Sequence, residues 1–201
     1  MSRGLLFVVS GPSGCGKGTI LAEILKQGNI YYSVSATTRQ PRPGEIDGIN
    51  YLFLAKDKFE ELIKDDGMLE YAIYCDNYYG TPRKQVEDNL NEGKDVILEI
   101  EVQGAMKIRE KCPDAIFVFI LPPSIKELRR RLCKRGTEDE GTVDKRINQA
   151  QNEIRQADKY DYILINGDLD KAVYDLKSII NAEKLRKINS VNNIEEVLNN
   201  A

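Results

Sequence analysis

Histidine and tryptophan are both absent from the 201-residue chain. Without histidine there is no Ser-His or Cys-His nucleophilic dyad and no Cys/His zinc site. The four cysteines, Cys15, Cys75, Cys112 and Cys133, are widely spaced and make no C-x-x-C pair. That spacing argues against a cysteine-only zinc site and reads as free thiols in a reducing compartment. With no tryptophan, any base stacking falls to Tyr or Phe. No apolar run approaches the length of a membrane span. The short apolar start, MSRGLLFVVSG, leads straight into a glycine-rich loop and does not read as a signal peptide. A cytoplasmic location is therefore expected. Net charge is only −3, which gives no general attraction to nucleic acid or anionic membrane, and neither is expected as a partner. Phosphoryl transfer works by positioning and electrostatics and loses nothing from these absences. Hydrophobic residues at 41% and charged residues at 30% describe a globular chain of one or two domains with a real core.

What is present starts with residues 5–19, LLFVVSGPSGCGKGT. An apolar run ends in Ser10 and a glycine-rich turn, and Leu21, Ala22, Ile24 and Leu25 then follow at helical spacing. Gly11, Gly16 and Lys17 fit G-x-x-x-x-G-K, the strand–loop–helix phosphate cradle. Gly11, Gly14 and Gly16 let the backbone turn so that several N–H groups face one anion. The helix N-terminus adds positive potential, and Lys17 reaches the outer phosphates. The ATP-binding candidates are therefore Gly11, Pro12, Ser13, Gly14, Cys15, Gly16, Lys17, Gly18 and Thr19. The residue after Lys17 is Gly18 and the hydroxyl comes one later, at Thr19, so Mg2+ is expected to lean on phosphates and water with no direct protein ligand. Cys15 lies inside the cradle, where a thiolate is favoured; a small residue filling a loop position is the other reading.

Further along, 31–39 reads as a strand opening into a Pro- and Gly-rich loop, and 51–54 as a short strand. Residues 56–64 have helical spacing, 68–75 alternate as a strand, and DNYYGTP (76–82) reads as a turn. Residues 35–81 thus form a mostly-β insertion after the first βα unit. Helices over 83–92, 103–111, 124–134, 143–159 and 168–188 then alternate with strands over 95–101, 115–123 and 160–166. Ser124 and Glu127 have capping-box spacing, and 135–141 suits a mobile loop. Alternating strands and helices imply an α/β fold with a parallel sheet core.

The insertion collects chemistry suited to a second, anionic substrate. Arg39 and Arg42, with Tyr51 and Tyr79, suit bidentate capture of a terminal phosphate. Glu70, with Ser35 and Thr81 as hydroxyl candidates, can accept both the ring N–H and the exocyclic amine of guanine. Adenine presents an acceptor at that position, and an unpaired buried carboxylate can discriminate on the order of 10⁴-fold. Taken singly, each of these charges would read as a solvated surface group.

Read together, GPSGCGKGT, SATTRQPRPGE, Y-x-F at Tyr51–Phe53, LEYA, NYYGTP, LEIEVQGA, RRRLCKRGT and KYDYILIN resemble guanylate kinases from Leu5 to about Ile188. The resemblance implies a P-loop three-layer α/β/α fold with a helical lid. Core segments would be 1–34, 82–124 and 160–190, the GMP-binding region 35–81 and the lid 125–159, with 191–201 a frayed tail. It implies transfer of phosphate from ATP to GMP, and to dGMP, with Mg2+, in purine nucleotide metabolism. GMP phosphate falls to Arg39, Arg42, Tyr51 and Tyr79, and guanine to Glu70, Thr81 and Ser35. Glu99 and Glu101 stand where some members carry Asp, which leaves open which of them meets the base and which the hydrated Mg2+. Arg131, Arg135 and Arg146 match lid arginines, Asn166 the position beside the ATP base, and Gly18 the family's own G-K-G-T form. Lys17, Arg39, Arg42 and the three lid arginines would carry catalysis, with closure of insertion and lid to exclude water. Two alternatives are a kinase for AMP or a pyrimidine nucleotide, which Glu70 disfavours, and a peptide-docking module of the same fold, which the intact Gly11, Gly16 and Lys17 disfavour. Oligomeric state is not readable.

Overall fold

Leu6–Ser10 form strand β1, and all five residues are buried because apolar side chains alternate onto both faces of a covered sheet. The structure is a computed structural model describing residues 3–26, 28–74, 76–134, 140–186, 188–189, 194 and 197–199. After β1 come α1 (Lys17–Leu25), β2 (Ile30–Tyr32), β3 (Ala36–Thr37), β4 (Leu52–Phe53), α2 (Lys56–Lys64), β5 (Met68–Tyr74) and β6 (Asn77–Pro82). Then follow α3 (Arg83–Asn91), β7 (Asp95–Glu99), α4 (Val102–Lys111), β8 (Ile116–Leu121), α5 (Ile125–Lys134), α6 (Glu140–Ile154), β9 (Tyr162–Ile165) and α7 (Leu169–Leu185).

Five strands make a parallel sheet in the order β2-β7-β1-β8-β9. On one face Leu6, Val8, Leu98, Phe117 and Phe119 pack against Val86 and Leu90 of α3 and Val102, Ala105 and Ile108 of α4. On the other, Phe7, Val9, Ile97, Val118 and Ile120 meet Ile20, Leu21 and Ile24 of α1 and Leu176 and Ile180 of α7. Each such side chain contributes about 1.5–3 kcal/mol of burial, which holds the three layers together. From β1 the chain runs out to β2, while from the neighbouring β7 it runs the other way to β8. Adjacent strands whose connections diverge open a crevice at their carboxyl ends, and the loop after Ser10 and Glu99–Glu101 both lie there.

A second sheet, β4-β3-β6-β5, is mixed, and Phe59 of α2 packs on it with Ala36 and Met68. Helices α5 and α6 pair through a small core of their own, Leu128, Leu132, Val143, Ile147 and Ala150. Among the described residues no helix is long and apolar enough to cross a membrane.

Three expectations are corrected. The strand expected over 31–39 is two strands in different sheets. Ser33 N donates to Ile97 O (3.0 Å) on the core side, and Leu52 N donates to Ser35 O (2.9 Å) on the other, so the chain changes sheets between them. Of the turn expected over 76–82, only Asp76 is a turn residue (φ 59°), and Asn77–Pro82 are strand β6. Gly80, which reads as turn punctuation, lets β5 and α2 approach instead: a Cβ there would stand 2.7 Å from Glu70 O and 3.1 Å from Phe59 Cζ. The helix expected over 143–159 begins at Glu140, ends at Ile154, and is followed by a 3-10 turn at Ala157–Lys159. Most of the expected mobile loop, 135–139, lies outside the described residues.

Candidate functional site

Backbone geometry shapes the loop after β1. Gly11, Gly14 and Gly16 all have positive φ (151°, 88° and 94°), so side chains are strained there. A Cβ on Gly16 would also lie 2.4 Å from Asn166 Nδ2. Lys17, the first residue of α1, folds back over the loop: its Nζ donates to Gly11 O (2.6 Å) and Pro12 O (3.3 Å). The Cys15 carbonyl accepts from Asn166 Nδ2 (2.7 Å) and Arg131 Nη1 (3.1 Å), and Arg131 Nη2 donates to Asn166 O (2.9 Å). Three loop carbonyls are thus engaged by cations or amides. Cys15 itself is fully buried, and burial pushes its thiol up against the opposing pull of Lys17. That overturns the thiolate reading and leaves Cys15 as a packed small residue.

Two of the three arginines expected in a lid are described, and they reach the loop from different helices. Arg131 comes from α5 and Arg146 from α6, where its Nη2 donates to Ser13 Oγ (2.6 Å). Arg135 lies outside the described residues. Ser124 Oγ accepts from Glu127 N (3.1 Å), but the Glu127 side chain does not complete a capping box. It binds Arg130 (2.7 Å at both oxygens) and Arg131 Nε (2.9 Å), and those bonds hold its carboxyl at about 2.

Between the two sheets is a cleft of about 410 Å3. From the insertion it is lined by Ser35, Arg42, Tyr51, Glu70 and Tyr79, and from the loop and the end of β7 by Ser13, Glu99 and Glu101. Glu70 is 6% exposed, with Oε1 accepting from Thr81 Oγ1 (2.9 Å). Burial pushes its carboxyl above the usual range, while Thr81 and then Lys107 and Lys111 oppose the shift. Arg39 is not an open fork. Glu45 takes both ends of it (2.9 Å each) and also accepts from Arg42 N (2.7 Å), and Gln40 O takes a further N–H (2.6 Å). The guanidinium lies over the rings of Tyr51 (5.5 Å) and Phe53 (5.7 Å), so its plane is set before any ligand arrives.

Glu99, the last residue of β7, and Glu101, two residues on, both line the cleft but have different neighbours. Glu99 Oε2 accepts from Tyr32 OH (3.1 Å) and lies 4.0 Å from where a Gly18 Cβ would be, beside the first turn of α1. Burial and then Glu99 keep the Tyr32 hydroxyl protonated far above its ordinary value. Glu101, whose backbone caps α4, acts electrostatically on Glu70 instead. Among the described residues no group of three or more His, Cys, Asp or Glu stands close enough to hold a metal ion.

Sequence reasoning missed three residues that position the site: Tyr32, Glu45 and Glu127. Glu45 stood inside the quoted TTRQPRPGE segment, and Glu127 stood four residues before Arg131, the spacing of a helical ion pair. Tyr32 carried no local signal, because it acts across the fold.

The chain matches a family model described as guanylate kinase over residues 3–183. Its similar relatives include guanylate kinases of Latilactobacillus sakei (54% identical, covering 92% of both chains) and Clostridioides difficile (50%, covering 96% and 95%). A crystal structure of guanylate kinase from Anaplasma phagocytophilum is 35% identical, with a TM-score of 0.75 over 92% of this chain and 88% of that one.

Proposed function

This chain belongs to the guanylate kinase family, and on that premise we propose that it catalyses ATP + GMP ⇌ ADP + GDP, with dGMP as a second acceptor. The observation that carries the guanine assignment is Glu70: a buried carboxylate, held by Thr81, at the insertion side of a cleft that reaches the phosphate loop. Such a group rewards a ligand that offers two N–H donors and penalises one that leaves it unpaired. Ser35 supports the base end, with Glu101 alongside.

The Gly11–Thr19 loop holds ATP. On binding, Lys17 exchanges the Gly11 and Pro12 carbonyls for phosphate oxygens, and Asn166 lies on the loop's adenine side. Arg42, Tyr51 and Tyr79 hold the GMP phosphate, and Arg39 turns its remaining N–H donors toward it. That phosphate is already anionic, so it attacks without a general base, as suits a chain with no histidine. Arg131, Arg135 and Arg146 neutralise the transferring group as segment 125–159 and region 35–81 close over the core segments 1–34, 82–124 and 160–190. Glu99, beside the first turn of α1, is the residue that would hold a hydrated Mg2+ through a water, with the phosphates supplying its other ligands. When bound, the ion withdraws charge from the β- and γ-phosphate oxygens.

An acceptor panel tests the reading. With ATP and Mg2+, kcat/KM for GMP should exceed that for AMP, CMP and UMP by about 10²-fold or more. Comparable turnover of AMP would overturn it.

A further inference from the structure

Gly104 is buried in the first turn of α4 and lines the cleft. Glycine in a helix costs stability relative to alanine, so its presence needs a reason. Backbone conformation is not the reason, because Gly104 is not among the glycines with positive φ and Ala105 follows it in the same helix. Space is. A Cβ on Gly104 would stand 2.9 Å from Glu70 Oε2 and 3.2 Å from Glu70 Cδ, while its contact with Ile100 Cδ1, at 3.6 Å, is ordinary.

We propose that Gly104 is a specificity-determining residue: its missing side chain lets the α4 backbone form one wall of the base slot and fixes where the Glu70 carboxylate stands. The inference rests on the guanine assignment made above. Glu70 is held on three sides, by its own strand β5, by Thr81 on Oε1, and by Gly104 against Oε2. An added methyl must displace something. Helix α4 is anchored by Ala105 and Ile108, both fully buried against the sheet, whereas the tip of Glu70 is the end of a flexible side chain. The carboxylate therefore moves and the fold does not. Guanine then meets two misplaced oxygens, and recognition takes the loss that stability is spared.

Gly104→Ala tests this through three readouts. GMP affinity measured by calorimetry without ATP, and kcat/KM for GMP, should fall by on the order of 10- to 100-fold. KM for ATP should stay within about twofold, since the phosphate loop is not touched. The thermal midpoint should not fall. In a Glu70→Ala background the same substitution should have no further effect on GMP affinity, because the displaced group is gone. The inference is overturned if Gly104→Ala leaves GMP affinity unchanged, weakens ATP equally, lowers the thermal midpoint markedly, or costs the same with Glu70 removed. Wild-type enzyme that fails to phosphorylate GMP would instead overturn the assignment beneath it.

Discussion

At the Gly11–Thr19 loop the shape comes from the main chain. Three positive-φ glycines set its path, and Lys17, Asn166 and Arg131 occupy its carbonyls. At the Glu70 cleft the strand pairing shifts register between Met68 and Glu70, and most of the lining comes from side chains drawn from β5, β6, the loop after β3 and the end of β7. Several charged side chains in and beside the cleft have a holder: Thr81 for Glu70, Tyr32 for Glu99, and Glu45 for the neighbouring Arg39. A site made of backbone has few points of failure, all of them severe. A site made of held side chains should fail in grades, according to whether the ligand-contacting group or its holder is lost.

The largest effect should come from the loop. Lys17→Met is expected to lower turnover by on the order of 10³-fold or more, measured by coupled ADP release, while GMP affinity by calorimetry is preserved. Substantial activity in this variant would remove Lys17 from its role. A smaller effect is expected from a holder in the cleft. Glu45→Ala frees the Arg39 guanidinium from its fixed plane over Tyr51, and KM for GMP should rise about tenfold with KM for ATP unchanged. An equal rise in both would show that the two halves are not separable as described. Smaller again is Tyr32→Phe, which removes one hydroxyl and its bond to Glu99. We expect kcat to fall about three- to tenfold at constant KM for GMP. A KM effect confined to GMP would move Glu99 to the acceptor side of the comparison.

The least conspicuous effect is on stability against pH. Burial raises the Glu70 carboxyl in the folded state, so the folded chain binds that proton more tightly than the unfolded one. Stability contributed by this group is therefore greatest below the ordinary carboxylate value and declines as pH rises through the raised one. Thr81, Lys107 and Lys111 reduce the shift, and Glu101 adds to it. Urea midpoints of wild type and Glu70→Gln across the acid range check this; identical slopes would mean that Glu70 is not the group responsible. Glu127 behaves oppositely. Arg130 and Arg131 lower its carboxyl to about 2, so its contribution is present above the ordinary value and is lost as pH falls toward that point.

The loop and the alternation of strands and helices were legible along the chain, because each is a local pattern. Strand β6 was not, since Asn, Gly and Pro in 76–82 signal a turn unless a neighbouring strand and Phe59 demand a flat approach at Gly80. Nor was the sheet change between Ser33 and Ser35, because β-propensity does not say which partner a strand will find. The reactivity suggested for Cys15 failed for the same kind of reason: sequence places it at a helix N-terminus, but burial beneath the loop decides its chemistry.

Sequence alone determined the path of the loop after β1, since the glycine spacing and Lys17 act within one short segment whose geometry the backbone itself dictates. It also named Ser35, Arg42, Tyr51, Glu70, Tyr79, Glu99 and Glu101, which the fold gathers around one cleft. Only the tertiary structure decided how the charged groups in and beside that cleft are held: that Arg39 is tied to Glu45, that Glu99 is turned toward α1 by Tyr32, and that Glu70 stands against Gly104. The Glu99 and Glu70 placements join residues far apart in the chain, and burial removes the water that would otherwise satisfy or screen a misplaced carboxylate.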